Sequence, residues 1–346
     1  MNLQFTEFFD RAIQIGDRRI GPGQPVYIVA EAGVAHFGSV DRALELVDAA
    51  VAATADAIKF QVFRTEELIS RDSPEWRSRL KPKELDFHHF RAIRDYCRKR
   101  SITFFATAHD EKSADFLQDL DVPAIKVGSG EVGNITFLGR LASQRKPLII
   151  STGMHTLNQI RQALKACREA GNSGVAILHC VTAYPAPPSN INLKCIPALQ
   201  HEFGIPVGYS DHTIGWTIPL AAVAVGACIV EKHICLDKSR TDSQDCLVSC
   251  DPTELVQFVS EIRRVEASLG SSDKKPQPAE EKALVWARKS AVPLGPLQKG
   301  MAIEPEHVRF KRPGTGISPE EAHDLWGKRL KRDVDADHVL QWTDFE

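Results

Sequence analysis

The sequence predicts an α/β fold in which eight parallel strands close into a (β/α)₈ barrel of the TIM type, followed by a small β-rich domain. The first sign is a set of eight short apolar runs, each ending in a polar or ionisable cluster: Tyr27–Gly33, Asp56–Val62, Thr103–His109, Ala124–Glu131, Pro147–Gly153, Val175–Val181, Val207–His212 and Cys228–His233. Near-continuous apolar runs read as strands buried on both faces, as in a parallel sheet. The second sign is spacing, because the segments between runs are long enough for a helix and a return. The third is length: 346 residues exceed a usual barrel by enough for a second, small domain. An open doubly wound sheet also presents ligands at the carboxyl ends of its strands. Eight units favour the closed barrel.

The elements follow in order. Residues 1–25 read as an N-terminal extension, in which Ile13–Ile20 has apolar ends around a Gly-Asp turn and suits a hairpin capping the barrel bottom. Helical periodicity then alternates with the strands over Asp41–Ala53, Phe87–Arg100, Glu111–Leu120 and Thr156–Ala170. The last of these carries Leu157, Ile160, Leu164 and Cys167 at the spacing of one buried face. The eighth helix is expected over Asp251–Gly270, with Asp251 as cap, Pro252 in the first turn and Gly270 beyond the end. The domains so drawn are 1–270 (barrel with its extension), 271–286 (a polar, proline-containing linker) and 287–346 (short strands in GMAIEPEHV and FKRPGTGISPEE). A segment that small is expected to lean on another surface.

Composition narrows the class. With 43% hydrophobic residues, 25% charged and a net charge of −2, the chain has no basic excess for nucleic acid or an anionic membrane. It shows no signal architecture and no apolar run of spanning length, so a cytoplasmic protein is expected. The eight cysteines form no CxxC pair, and reduced thiols are expected, Cys246 and Cys250 included.

The strand ends carry the chemistry. His212 and His233 close neighbouring strands, where two imidazoles can share a divalent metal and leave positions open. Asp245 and Glu31 are candidate oxygen ligands or supporting partners. His36 and His109 are weaker candidates, and His179 reads as structural. Lys59 and Lys126, ringed by Thr107, Ser129, Ser151 and Ser210, suit a phosphate or carboxylate cradle. The same lysines, or Lys232, would alternatively serve a Schiff-base aldolase.

EAGVAHFGS, IKFQ, KVGSGE, STGM, LHCVTAYPAP, GYSDHT and EKH occur in the order and context of the N-acetylneuraminate (sialic acid) synthase family, which the chain resembles over about residues 25–346. KGMAIEPEHVRFKRPGTGI is similar to that family's SAF domain, an antifreeze-like β-clip module. The resemblance implies a metal-dependent condensation of phosphoenolpyruvate with the open-chain aldehyde of a sugar, usually an N-acylated hexosamine, with release of phosphate. It assigns His212 and His233 to a Mn²⁺-type ion, with Mg²⁺ or Co²⁺ as alternatives. It assigns Lys59, Thr107, Lys126, Ser129, Ser151, Thr182 and Ser210 to phosphoenolpyruvate, Thr182 standing where the family usually has Asn. Gln61, Tyr184 and Asp245 match sugar- or metal-side positions, and Glu31 and Glu131, with Lys126, are the catalytic candidates. Arg312 matches the SAF arginine that reaches a partner's barrel, which implies a domain-swapped homodimer.

The chain also departs from the family. Ala35 replaces the usual Asn before the first-strand His, and Arg240–Asp245 (RTDSQD) replaces the frequent PGPD. The Arg- and Lys-rich SPEWRSRLKPKEL after the second strand is unlike a standard sugar-recognition loop. The acceptor is therefore left open between N-acetylmannosamine, its phosphate, a diamino-dideoxy hexose and another aldose. A non-catalytic carbohydrate-binding protein is the remaining alternative.

Overall fold

The computed structural model describes residues 7–240 and 242–346, so the first six residues of the expected extension and Thr241 lie outside the described residues. Two compact units divide the chain, Met1–Gly270 and Ser271–Glu346.

In the first unit Ile13–Ile15 (β1) and Arg18–Ile20 (β2) pair antiparallel as a hairpin. Eight parallel strands then close a barrel: Tyr27–Gly33 (β3), Ala57–Val62 (β4), Thr103–Ala108 (β5), Ile125–Val127 (β6), Leu148–Ser151 (β7), Val175–Cys180 (β8), Val207–Asp211 (β9) and Ile229–His233 (β10). Neighbours run in sequence order around the ring, and β10 pairs with β3 to close it. Strand alternation sorts the side chains. On β4, Ile58, Phe60 and Val62 join the large cluster packed under the helices, while Ala57 joins an inner cluster. That inner cluster contains Tyr27, Val29, Phe105, Ile149, Leu178 and Ile229 together with Ile13, Ile15 and Ile20, so the hairpin seals the barrel interior from one end. Residues further along the same inward rows are polar, and they open toward the carboxyl ends.

The helices form where expected, within a residue or two. Val40–Ala52 is capped by Ser39, Leu157–Glu169 by a Thr156–Gln159 capping box, and Pro252–Leu269 by Asp251 with Glu254. Leu157 departs from the expected buried face: it is 42% exposed, whereas Ile160, Leu164 and Cys167 are buried. The fourth run is shorter than its sequence suggests, because Ser129–Glu131 turns into a 3₁₀ segment after β6.

In the second unit the polar stretch ends in a helix, Glu281–Trp286. Ser290–Pro293 (β11) and Val308–Lys311 (β12) then pair antiparallel, so β12 joins the end of one expected strand region, Val308, to the start of the other, Phe310 and Lys311, and β11 lies outside both. The unit carries its own core of ten buried residues, among them Leu297, Ile303, Leu325, Leu330 and Phe345. That corrects the expectation of a segment with little core of its own. Among the described residues no helix is long and apolar enough to cross a membrane, and all eight cysteines are free thiols.

Candidate active site

A cavity of about 270 Å³ lies at the carboxyl ends of the barrel strands. Its walls include Glu31, Lys59, Gln61, Thr107, Lys126, Ser129, Ser151, Thr182, Tyr184, Ser210, His212, His233 and Asp245. Of the residues that the family resemblance assigns to the site, Glu131 and Arg312 lie elsewhere. Glu131 is on the 3₁₀ turn, lines a neighbouring depression and bonds Asn134 at 2.7 Å. Arg312 belongs to the second unit, where its guanidinium lies 5.2 Å from the Trp286 ring centroid.

The cavity floor is built from buried charges. The Lys59 ammonium lies 2.7 Å from Glu31 Oε2 and donates to Thr107 Oγ1 at 3.3 Å. Lys126 donates to Ser151 Oγ at 2.6 Å. Between the two lysines stands Glu231, 3.6 Å from Lys59 and 3.7 Å from Lys126, with the Ser210 hydroxyl donating to it at 3.0 Å. Burial drives each group toward its neutral form, and neighbours decide the outcome. Burial alone would raise Glu231, but Lys126 and Lys59 outweigh it and hold the carboxyl down at about 2. For Glu31 burial prevails over Lys59 and the carboxyl is raised. Lys126 is lowered by burial with only partial relief from Glu231, whereas Glu231 and Glu31 together overcome burial at Lys59 and raise it. The sequence reading missed Glu231. The signal was present, since a residue two before the inward-facing His233 on a strand must face the same interior.

The lysines are not equivalent as Schiff-base candidates. Lys232, one residue out of phase, is buried against Asp211 at 2.6 Å and the Thr213 carbonyl at 2.7 Å, and is absent from the cavity wall. His109 proves more central than expected. It lines the cavity half-buried, its buried Nε2 lacks a hydrogen-bond partner among the described residues, and burial holds it down at about 4. His179 is turned away to the Ile191 carbonyl. His36 is also buried neutral, its Nδ1 accepting from the Gly38 amide.

His212 and His233 are neighbours at the rim, with ring centroids 5.4 Å apart. The His212 Nδ1–H donates to the Val181 carbonyl at 2.7 Å, which leaves the Nε2 lone pair directed at the Tyr184 hydroxyl 2.9 Å away. Burial pulls His212 down, but Cys180 and the Val181 carbonyl reverse it and leave it raised. The nitrogen that would take that second proton is the one that would take a cation. Burial keeps His233 neutral, with its value lowered to about 4. Two imidazoles with open positions are a donor set that fits a divalent ion. The described residues also contain one group of three candidate ligands, Asp86, His88 and His89, which lies at the start of helix Phe87–Lys99 rather than in the cavity wall.

A segment after β4 completes the rim. Helix Pro74–Leu80 and the turn Lys81–Lys83 bring Trp76, Arg79, Leu80 and Lys83 to the cavity. Glu84 anchors the segment by accepting from the Thr65 amide and hydroxyl at 2.9 and 2.7 Å and from Arg64 at 3.0 Å.

Comparison with known proteins agrees with this arrangement. The chain matches the NeuB family model over residues 46–274 and the SAF domain model over residues 288–346. It is 39% identical to the N,N'-diacetyllegionaminic acid synthase of Legionella pneumophila, covering 94% of this chain and 96% of that protein. It is 33% identical to the human N-acetylneuraminate-9-phosphate synthase, covering 93% of each. The crystal structure of an N-acetylneuraminic acid (sialic acid) synthetase from Leptospira borgpetersenii shares 35% identity and superimposes with a TM-score of 0.74 over 79% of this chain and 95% of that one. With both models matched in order along the chain, it belongs to the NeuB family and carries a C-terminal SAF domain.

Proposed function

We propose that this protein is a phosphoenolpyruvate-dependent synthase. It joins phosphoenolpyruvate to the open-chain aldehyde of an N-acylated hexosamine, N-acetylmannosamine or a related sugar, and yields a sialic-acid-like nonulosonic acid and phosphate. The observation that carries this reading is the pair Lys59 and Lys126, two buried ammonium groups ringed by Thr107, Ser129, Ser151, Thr182 and Ser210 on the floor of one cavity. Hydroxyls and ammonium groups converging on one space suit the carboxylate and phosphate of phosphoenolpyruvate. Glu31, already raised by burial, takes up a proton readily and so leaves the floor net positive when an anion enters.

The reaction forms a bond between the enol carbon of phosphoenolpyruvate and the aldehyde carbon. The aldehyde oxygen becomes a hydroxyl, water adds to the carbon that bears the phosphate ester, and phosphate leaves by cleavage of its bond to that carbon, which becomes a ketone. Glu31 sits where it can hold or return a proton, while Gln61, donating to Glu31 at 2.9 Å, fixes its orientation. Lys126 and Lys59 bind the enol substrate in register with the sugar, for which Tyr184 and Asp245 supply rim contacts. Glu131 is assigned no step, because it lines the adjacent depression. A divalent ion, Mn²⁺ with Mg²⁺ or Co²⁺ as alternatives, held by His212 and His233, would polarise the aldehyde as a Lewis acid.

Arg312 makes no ion pair among the described residues. We read it as the group that serves the sugar end of a partner's barrel in a domain-swapped homodimer. The free, mostly buried thiols suit a reducing cytoplasm.

Consumption of phosphoenolpyruvate across a panel of aldoses, with Mn²⁺ and with chelator, tests the reading. Turnover with an N-acylated hexosamine that chelation stops and Mn²⁺ restores is expected. Chelator-resistant turnover with borohydride trapping at Lys126 would replace it with a Schiff-base aldolase. Sugar and metal binding without consumption of phosphoenolpyruvate would leave only a carbohydrate-binding role.

A further inference from the structure

We propose that His109 binds a proton together with phosphoenolpyruvate and so becomes the third cation of the anion pocket. The inference deepens the proposed function and rests on it for the identity of the anion.

Three neighbouring strands set the geometry. β5 lies between β4 and β6, and its inward row runs from Phe105 through Thr107 to His109, one residue past the strand's end. The His109 amide donates to the Val62 carbonyl at 3.1 Å, which carries the β4–β5 ladder one step further and keeps the ring on that row. Lys59 and Lys126 face the same cavity from β4 and β6. An anion seated on both ammonium groups therefore spans the strand that carries His109. The ring rests edge to face on Phe63, with centroids 6.5 Å apart, and against Gly128, where a Cβ would lie 3.6 Å from its Cε1. Its buried Nε2 has no partner among the described residues.

Charge favours the proton once the anion is present. Phosphoenolpyruvate brings a carboxylate and a phosphate, together about 2.5–3 negative charges near neutral pH. The floor holds little surplus to meet them, because Lys59 and Lys126 stand beside Glu31 and Glu231. Protonation of Glu31 supplies one unit, and the imidazole between the two lysines supplies another. In the free protein burial, Lys59 and Lys126 all disfavour the charged ring and hold it at about 4. The carboxylates of the neighbouring depression, which His109 also borders, are engaged elsewhere. Glu67 pairs with Lys112, and Glu111 and Asp115 pair with Arg140. Asp110 accepts from the Arg64 amide and from Ser113, and Glu131 from Asn134. An anion on the two ammonium groups reverses the sign of the field at the ring and favours the imidazolium.

Ring ¹³C and ¹⁵N spectra of the full chain labelled at histidine read the proton directly, with the His109 signals identified by their loss in His109→Gln. At about pH 6, with chelator and without sugar, the free ring should be neutral and the ring of the phosphoenolpyruvate complex charged. Glu31→Gln should leave that change in place, which separates the two proton sites. By calorimetric titration at the same pH, His109→Phe should bind phosphoenolpyruvate at least tenfold more weakly than the parent. The parent's advantage should fade as pH rises through the value of the complexed ring, because a group raised in the complex favours binding only below that value. A ring that stays neutral in the complex, or equal affinity in His109→Phe, overturns the inference and leaves the proposed function standing. Failure of phosphoenolpyruvate to bind at all removes both. Binding with a charged ring, but no consumption of phosphoenolpyruvate with any aldose and Mn²⁺, supports the inference and counts against the proposed function alone.

Discussion

The Tyr184 hydroxyl stands 2.9 Å from Nε2 of His212, the ring nitrogen that the Val181 carbonyl leaves free to act as a ligand. Any cation bound there must first displace this hydrogen bond. Tyr184→Phe removes the competitor and should tighten Mn²⁺ binding by up to about tenfold, the worth of one neutral hydrogen bond at ~0.5–1.5 kcal/mol. His212→Ala should abolish it. Titration calorimetry on both variants checks the pair, and unchanged binding in His212→Ala would remove His212 from the metal site.

Lys126 and Lys59 share Glu231 but differ in what remains when one is lost. Lys126→Ala leaves Glu231 with Lys59, 3.6 Å away, and the Ser210 hydroxyl, so one of its two paired lysines is lost in a buried site. Breaking a buried charge pair costs about 3–5 kcal/mol, so the melting temperature should drop measurably. The double variant Lys126→Ala/Glu231→Gln should regain part of that loss. Where protein folds, the Lys126→Ala requirement for phosphoenolpyruvate should rise about ten- to a hundredfold, with a much smaller change for sugar. Additive stability losses in the double variant would contradict the coupling.

Gly153 is fixed by the space around it. A Cβ there would lie 2.3 Å from Thr182 Oγ1 and 2.8 Å from Ser129 Oγ, the hydroxyl that accepts from the Gly153 amide at 3.0 Å. Gly153→Ala must therefore push both hydroxyls from the floor, with an overpacking cost of about 1–3 kcal/mol. Adding Thr182→Ala should recover much of the stability but not the use of phosphoenolpyruvate. Chemical denaturation and steady-state kinetics on the single and double variants measure the two effects.

Glu84 gives the rim segment a pH dependence. Burial works against its carboxylate, but the Thr65 amide and hydroxyl and Arg64 hold it down at about 2. A depressed carboxyl contributes stability that is full above its unfolded value near 4.5 and is lost as pH falls through that value toward 2. Glu84→Gln should thus loosen the 64–84 segment at pH 6, seen as faster amide exchange. The difference from the parent should shrink as pH falls from about 4.5 toward 2. A gap that stays constant across that range would mean that Glu84 acts only by shape.

The Glu231 omission shows what could be read directly from the chain. Run-by-run inspection finds the strands and the polar cluster at the end of each, which picks out Lys59, Lys126, His212 and His233. It misses a residue that lies one step deeper on the same inward row unless strand alternation is applied to every position. The same rule, applied strictly, separates Lys232 from the site, since it stands one residue out of phase with Glu231 and His233 and pairs with Asp211 instead.

Local physics sufficed for the rest of the barrel. Apolar runs, the caps at Ser39, Thr156 and Asp251, and the Gly-Asp turn between β1 and β2 act over a few residues and are legible in order. What only the tertiary structure decided depends on separations across the ring. Glu231 meets Lys59 and Lys126 because closure brings β10 beside β3 and the interior is narrow enough for side chains from β4 and β6 to share it. Glu131 lines a neighbouring depression because its strand ends early in a 3₁₀ turn, a difference of a few residues that no apolar pattern encodes. The rim segment after β4 reads from sequence as a basic loop. Its place at the cavity comes from Glu84, which ties the end of the segment back to Arg64 and Thr65 and so keeps Trp76 and Arg79 in the cavity wall.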